Sequence, residues 1–156
     1  MHYVGCYSHR EAQEVLGKVG LADVPAQALN APKITIKLGC SKAIKRHVAT
    51  HLLGADGWAS SVKVDASLGP SVNALHASGV AFHVQTGNIA RAFYDLMKLQ
   101  SLYHQRRAIA SILAVPTNVA ARKIGGNLAN FDRVREELES LFSDQVSMPL
   151  LLAAFE

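Results

Sequence analysis

The run over residues 79–100, GVAFHVQTGNIARAFYDLMKLQ, constrains the fold more than any other stretch of the chain. Val80, Phe82 and Val84 alternate with Ala81, His83 and Gln85, the two-residue period of a strand. Thr86-Gly87 turns the chain. From about Asn88 onward, Ile89, Phe93, Leu96, Met97, Leu99 and Leu102 recur at near-helical spacing and form a broad apolar face. The expectation is a buried strand that delivers His83 and Gln85 to one face of a sheet, then a helix that covers the other face.

The residues that follow extend this unit. AIASILAV, residues 108–115, is a nearly continuous apolar run closed by Pro116, the pattern of a strand buried on both faces. A short helix is expected over 118–124, ended by Gly125-Gly126. Asn130 caps a clearer helix with Phe131, Val134, Leu138, Leu141 and Phe142 inward and Asp132, Glu136, Glu137 and Glu139 mostly outward. Residues 146–155 read as a last apolar strand, with Pro149 pointing to an edge or a bulge. Strand–helix–strand–helix–strand with right-handed crossovers makes the parallel part of a sheet.

The first half is less regular. Ser8 to Glu11 fits a capping box, with Ser8 as N-cap of a short helix carrying Ala12, Val15 and Leu16. Residues 21–32 read as a loop with one helical turn. Ile34, Ile36 and Leu38 alternate with Lys33, Thr35 and Lys37, the period of a half-exposed edge strand. A helix is expected from Ser41 as N-cap to Leu53, with Gly54 at its end. A short strand over 61–65 and a long hairpin loop over 66–78 lead into the central run. The fold class is therefore α/β, a mixed central sheet of about five strands flanked by helices, in a single domain over 1–156.

Composition sets limits on function. Hydrophobic residues are 49% and charged residues 18%, enough for a packed core and too apolar for disorder. The net charge of +4 permits a polyanionic partner without establishing one. Between Asp23 and Asp56 there is no acidic residue, but there are Lys33, Lys37, Lys42, Lys45 and Arg46. That stretch reads either as a solvated face or as a surface contacting phosphates. Cys6 and Cys40 are the only cysteines, and two reduced thiols fit a cytoplasmic protein. No leader is visible in Met1-His2-Tyr3, and no apolar run reaches the roughly 18 residues of a membrane span.

One constellation could carry chemistry. Asp65 ends one strand, and His83 and Gln85 share a face of the next. A residue at the end of a hairpin strand can lie beside a same-face pair on its partner. Such a geometry suits a divalent metal at a scissile phosphate, with a third group orienting the attacking water. His47 and His51, at i and i+4, have a chelating spacing but no accompanying Glu. His2, His9, His76 and His104 belong to no constellation. No Gly-x-Ser-x-Gly elbow and no phosphate-binding Gly-rich loop is present.

VAFHVQTGNIARAFYDLMKLQ followed by ILAVPT resembles the restriction endonucleases of the BglII/BamHI type, over about residues 40–145 and best from Asp65 to Pro116. That family shares the restriction-endonuclease fold and an active site of Asp followed by Glu-x-Gln or Glu-x-Glu. The resemblance gives Asp65 the place of the metal-binding aspartate and Gln85 the place that orients water. It implies Mg²⁺ or Mn²⁺ as cofactor if the site is active, double-stranded DNA as partner, and a homodimer gripping it. Lys42, Lys45 and Arg46 are the expected DNA contacts. His83 departs from the pattern, for it stands where the family has its metal-binding glutamate. Imidazole is a poorer Mg²⁺ ligand than carboxylate and adds no negative charge. The reading adopted is a DNA-binding domain with a degenerate metal site. The alternatives are a divalent-metal-dependent DNA endonuclease, using Mn²⁺ or Zn²⁺ through His83, and a non-catalytic interaction domain in which His83 is a core residue.

Overall fold

The computed structural model describes residues 1–156. Six strands form one mixed sheet: β1 (Tyr3–His9), β2 (Trp58–Lys63), β3 (Ser71–His76), β4 (Val80–Val84), β5 (Ala110–Pro116) and β6 (Leu150–Phe155). The helices are α1 (Ala12–Lys18), α2 (Val24–Leu29), α3 (Ser41–Leu53), α4 (Ile89–His104), α5 (Asn118–Ile124) and α6 (Phe131–Ser140). The strand order is β1-β6-β5-β4-β3-β2. β4, β5 and β6 run parallel, and the other neighbours are antiparallel. This is the mixed, helix-flanked sheet that the sequence implies, with one strand more than expected.

The apolar run in the second half occupies the middle of the sheet. Every residue of β5 and of β6 is buried, as central strands covered on both faces require. One core lies under α1, α2 and α3 and takes Val80, Phe82 and Val84 from β4. The other lies under α4 and α6 and takes Ala81 from β4 with Leu96, Leu99 and Leu138 from the helices. α4 therefore covers the same face of β4 as His83 and Gln85, and not the opposite face as expected. The chain reverses at Thr86-Gly87, and Asn88 caps the new helix by accepting from the Ala90 N–H at 2.9 Å.

Several local expectations are corrected. Residues 3–9 form an edge strand, paired antiparallel to β6 from Tyr3↔Phe155 to His9↔Leu150. Ser8 is thus the penultimate residue of a strand and not the N-cap of α1, although its Oγ accepts from the Gln13 N–H at 3.0 Å. Arg10 and Glu11 turn through positive φ, 49° and 58°, to start the helix. Residues 33–38 make no strand, since β1 and β2 hold the two sheet edges. Ile34 and Ile36 instead pack against the core, and the amino terminus of Met1 donates to the Ile34 carbonyl. α3 is capped from Cys40 rather than Ser41, and Gly54 ends it with φ −76°, outside the left-handed region. Pro149 precedes β6, which lies inside the sheet and not at its edge.

The correction that matters most for function is β3. The segment read as a hairpin loop contains a strand, which pairs with β2 on one side and β4 on the other. β2 ends at Lys63, so Asp65 lies beyond it, and β3 separates β2 from β4. No helix is long and apolar enough to cross a membrane.

Candidate functional site

The C-terminal end of β4 opens into a polar cavity of about 170 Å³, lined by Lys45, His83, Gln85, Gly87, Arg91, Asp95 and Lys98, with no apolar side chain. Three elements build it. β4 brings His83 and, just past its end, Gln85. α3 brings Lys45 from the opposite side of the strand end. α4 brings Arg91, Asp95 and Lys98, spaced so that they follow one another along one side of the helix.

Asp95 is the hub. Its Oδ2 accepts from Gln85 Nε2 at 2.5 Å, and its Oδ1 lies 2.6 Å from Lys98 Nζ and 3.2 Å from His83 Nε2. Its side chain is only 9% exposed. Burial alone would raise its pKa, but His83 and Lys98 outweigh burial and hold it below the ordinary carboxylate value. Asp95 is an ionised, enclosed carboxylate. Lys98 also donates to the Ser71 carbonyl at 2.9 Å, which ties α4 to β3.

Gln85 is locked at both ends of its amide. Oε1 accepts from the Gly87 N–H at 2.6 Å while Nε2 donates to Asp95, which fixes the orientation of the group. A Cβ at residue 87 would stand 3.1 Å from Gln85 Oε1, so glycine permits this close turn. His83 has its pKa lowered, first by burial and then by the nearby Lys98 and Lys45, against the raising effect of Asp95. It is a neutral imidazole at pH 7, and its Nδ1 is buried without a partner.

Of the residues singled out in the sequence, His83, Gln85 and Lys45 are brought together here. Lys42 and Arg46 are exposed on α3, on either side of Lys45. Asp65 is not in this cavity. It sits in the exposed turn after β2, where its Oδ1 accepts from the Ser67 N–H at 2.8 Å, Ser67 Oγ at 2.6 Å and the Leu68 N–H at 3.2 Å. These three bonds lower its pKa, the Ser67 hydroxyl most. It lines a neighbouring cavity with Leu68, Tyr94, Met97 and Lys98, so Lys98 is the wall between the two. The strand beside β4 is β3, paired as Ala74↔Phe82 and Leu75↔Ala81. One step further in that register places Asn73 across from His83, and Asn73 Oδ1 accepts from the Val84 N–H at 2.7 Å.

Asp95 was not among the sequence candidates. A signal for it exists: Asp95 interrupts the apolar face of α4 next to Leu96, and an acid on a buried face requires a partner. His47 and His51 stack with ring centroids 6.1 Å apart, and His47 Nε2 is buried and unpaired. No three His, Cys, Asp or Glu side chains anywhere in the chain converge to hold a metal ion.

The sequence matches the family model described as Restriction endonuclease BglII/BglIII over residues 4–155. Among solved structures it is similar to "Crystal structure of free BglII", with a TM-score of 0.67 and 12% sequence identity, covering 100% of this chain and 80% of that one. At that identity the likeness is one of fold. No curated protein matches the sequence.

Proposed function

The chain belongs to the BglII/BglIII restriction endonuclease family, and from that premise we propose that it binds double-stranded DNA through a domain whose metal site is degenerate. A family of DNA endonucleases supplies the partner class. The charge balance of the cavity supports the loss of the metal site.

Restriction endonucleases typically depend on a divalent cation, which needs a donor set rich in anionic oxygens. The cavity holds a single carboxylate, Asp95, whose oxygens already face Gln85, Lys98 and His83. Lys98 stands at 2.6 Å, where a cation ligated by Asp95 would compete with an ammonium already in place. His83 and Asn73 supply no charge where β4 and β3 lie side by side. A hard dication wants several anionic oxygens, and here it would meet Lys45, Arg91 and Lys98 instead. The residues present do not fit Mg²⁺. The observation that carries the reading is thus the one carboxylate among three cations.

DNA contact is assigned to the exposed face of α3, through Lys42, Lys45 and Arg46. Cation side chains on one helix face neutralise backbone phosphates and release counterions. The runner-up is a Mn²⁺-dependent endonuclease, and it draws on one observation: Asp95 is ionised and lies 3.2 Å from an imidazole, a nitrogen ligand that Mn²⁺ accepts more readily than Mg²⁺. A titration of duplex DNA with and without divalent metal, with products resolved on a gel, separates the two. Salt-sensitive binding with intact DNA is expected; cutting in Mn²⁺ lost on Asp95→Asn would favour the runner-up. Absence of binding even at low salt would favour a non-catalytic interaction domain.

We also propose a homodimer in the cytoplasm. Tyr94 and Met97 are 50% and 46% exposed on α4 and lie beside Leu68, itself 60% exposed, in one hollow that Asp65 and Lys98 also line. Cys6 and Cys40 are unpaired thiols, which suits a reducing compartment.

A further inference from the structure

We propose that a hollow beside the start of β5 binds a small carboxylic acid with an apolar tail, its carboxylate held by Arg106 and His104 and its tail packed on Val15, Ala108 and Ile109. The hollow lies at the opposite end of β4 from the polar cavity: the Ile109 N–H donates to the carbonyl of Gly79, just ahead of β4, at 2.7 Å. The proposal does not depend on the DNA-binding reading.

The first support is shape and lining. The hollow has a volume of about 610 Å³ and is lined by Val15, Tyr103, His104, Arg106, Ala108 and Ile109. Sites for small organic molecules run roughly 300–1,000 Å³ and combine an apolar lining with a few polar groups. Val15 comes from α1, on one face of the sheet, and Tyr103 and His104 come from the end of α4, on the other. The rings of Tyr103 and His104 lie 6.2 Å apart and make one wall aromatic.

The second support is that every polar side chain of the lining has a donor to offer and none is acidic. Gln100, 4% exposed, fixes the histidine. Its Oε1 accepts from the Met148 N–H at 3.2 Å, so its Nε2 donates, to Ser147 Oγ at 2.6 Å and to His104 Nε2 at 2.7 Å. The neutral imidazole therefore carries its proton on Nδ1, the one ring donor left for a ligand. Arg107 is spent on the Val64 carbonyl and on Gln105 Oε1. Arg106 has no side-chain hydrogen bond and no carboxylate within 4.0 Å. A free guanidinium fork matches the two oxygens of a carboxylate.

The third support is that the end of α4 does not compete for these donors. The carbonyls of Ser101, Leu102 and Tyr103 accept from the backbone N–H groups of Gln105, Arg106, Arg107 and Ala108. The helix end is closed by its own backbone, and Arg106 is not needed to cap it. An apolar floor under a rim of donors with a net positive charge is complementary to an apolar acid.

The test titrates the full chain with phenylacetate and follows its amide NMR spectrum, with phenylethyl alcohol and acetate as comparison compounds. Phenylacetate is expected to shift the amides of Val15 and of residues 103–109 saturably. Arg106→Gln, at an exposed position, should raise its Kd by roughly tenfold and leave the binding of phenylethyl alcohol unchanged. Ile109→Ser, at a position 42% exposed, should weaken both phenyl compounds several-fold. Absence of a saturable shift with phenylacetate would overturn the proposal. Equal affinity for the acid and the alcohol, or an unchanged Kd in Arg106→Gln, would overturn the carboxylate assignment. Acetate binding as tightly as phenylacetate, or Ile109→Ser without effect, would overturn the apolar subsite. Shifts of the same amides on diluting the ligand-free chain would show a second copy of the chain in the hollow and overturn the small-acid assignment.

Discussion

The carboxylate of Asp95, carried by α4, stands 3.2 Å from Nε2 of His83, carried by β4. Strand and helix are consecutive, and α4 folds back over the face on which His83 lies. The same carboxylate is bonded by Gln85 and Lys98. One acid thus organises an imidazole, an amide and an ammonium, and both of its oxygens are already engaged.

Metal and cleavage follow from that arrangement. The unmodified chain is expected to leave duplex DNA uncut in Mg²⁺. His83→Glu places a second carboxylate beside Asp95, and two like charges there favour a bound cation. Mg²⁺ at tenfold over its Kd should then stabilise the variant by about 1.4 kcal/mol and the parent by none, read as a shift of the melting midpoint. Efficient Mg²⁺-dependent cutting by the parent would refute the degenerate-site reading.

The surface of α3 makes a separate prediction. Replacing Lys42, Lys45 and Arg46 with Ala should lower the salt slope of DNA binding by up to about 0.9 for each lost phosphate contact. All three are exposed, so the fold should be unaffected. Fluorescence anisotropy over a range of salt measures the slope, and a triple variant that binds like the parent would remove this surface from the interface.

The two titrating groups of the site predict pH dependence. His83 is lowered below its ordinary 6.5, chiefly by burial, so the unfolded chain takes up its proton first as pH falls. Stability is full above about 6.5 and declines as pH drops toward the lowered folded value. Urea midpoints at pH 7.5 and 5.5 should differ less in His83→Gln than in the parent. His47 is lowered as well, by burial and by His51 beside it, so part of the slope should remain. Asp95 is lowered too: burial opposes ionisation, and His83 and Lys98 outweigh it. Its contribution is present above the ordinary 3.8 and is lost as pH falls through the lowered value. Asp95→Asn strands Lys98 and should cost about 3–5 kcal/mol at pH 7, a deficit that shrinks in strong acid. An unchanged urea midpoint in that variant at pH 7 would contradict the ion pair.

For assembly, light scattering at micromolar concentration should give twice the chain mass. Met97→Lys, at a position 46% exposed, should shift the mass toward one chain without loss of helicity. A monomeric parent would count against the homodimer.

The sequence by itself determined the centre of the molecule. The alternation in Val80–Val84, the unbroken apolar run of β5 and the capped amphipathic stripe of α6 each record how one contiguous segment must be buried, and all three elements formed there; only Leu141, expected inward, falls past the end of α6 and is 63% exposed. Local pattern also placed His83 and Gln85 on one face. What it could not hold was pairing across distance. SVNALH is short and lies between the turn residues Gly69-Pro70 and Gly79, which mask it as a strand, and β3 exists because β2 and β4 flank it. Tyr3–His9 is a strand because Leu150–Phe155, from the far end of the chain, offers it a free edge. The pairing of β3 and the packing of α4 decided the site: β3 put Asn73 across from His83 and left Asp65 in an outer turn, while α4, packed on the His83 face, brought in Asp95. Periodicity encodes which side of a segment avoids water; which charged group lies beside another is settled only when separate segments pack, because the energy of that contact depends on a neighbour the local sequence does not contain.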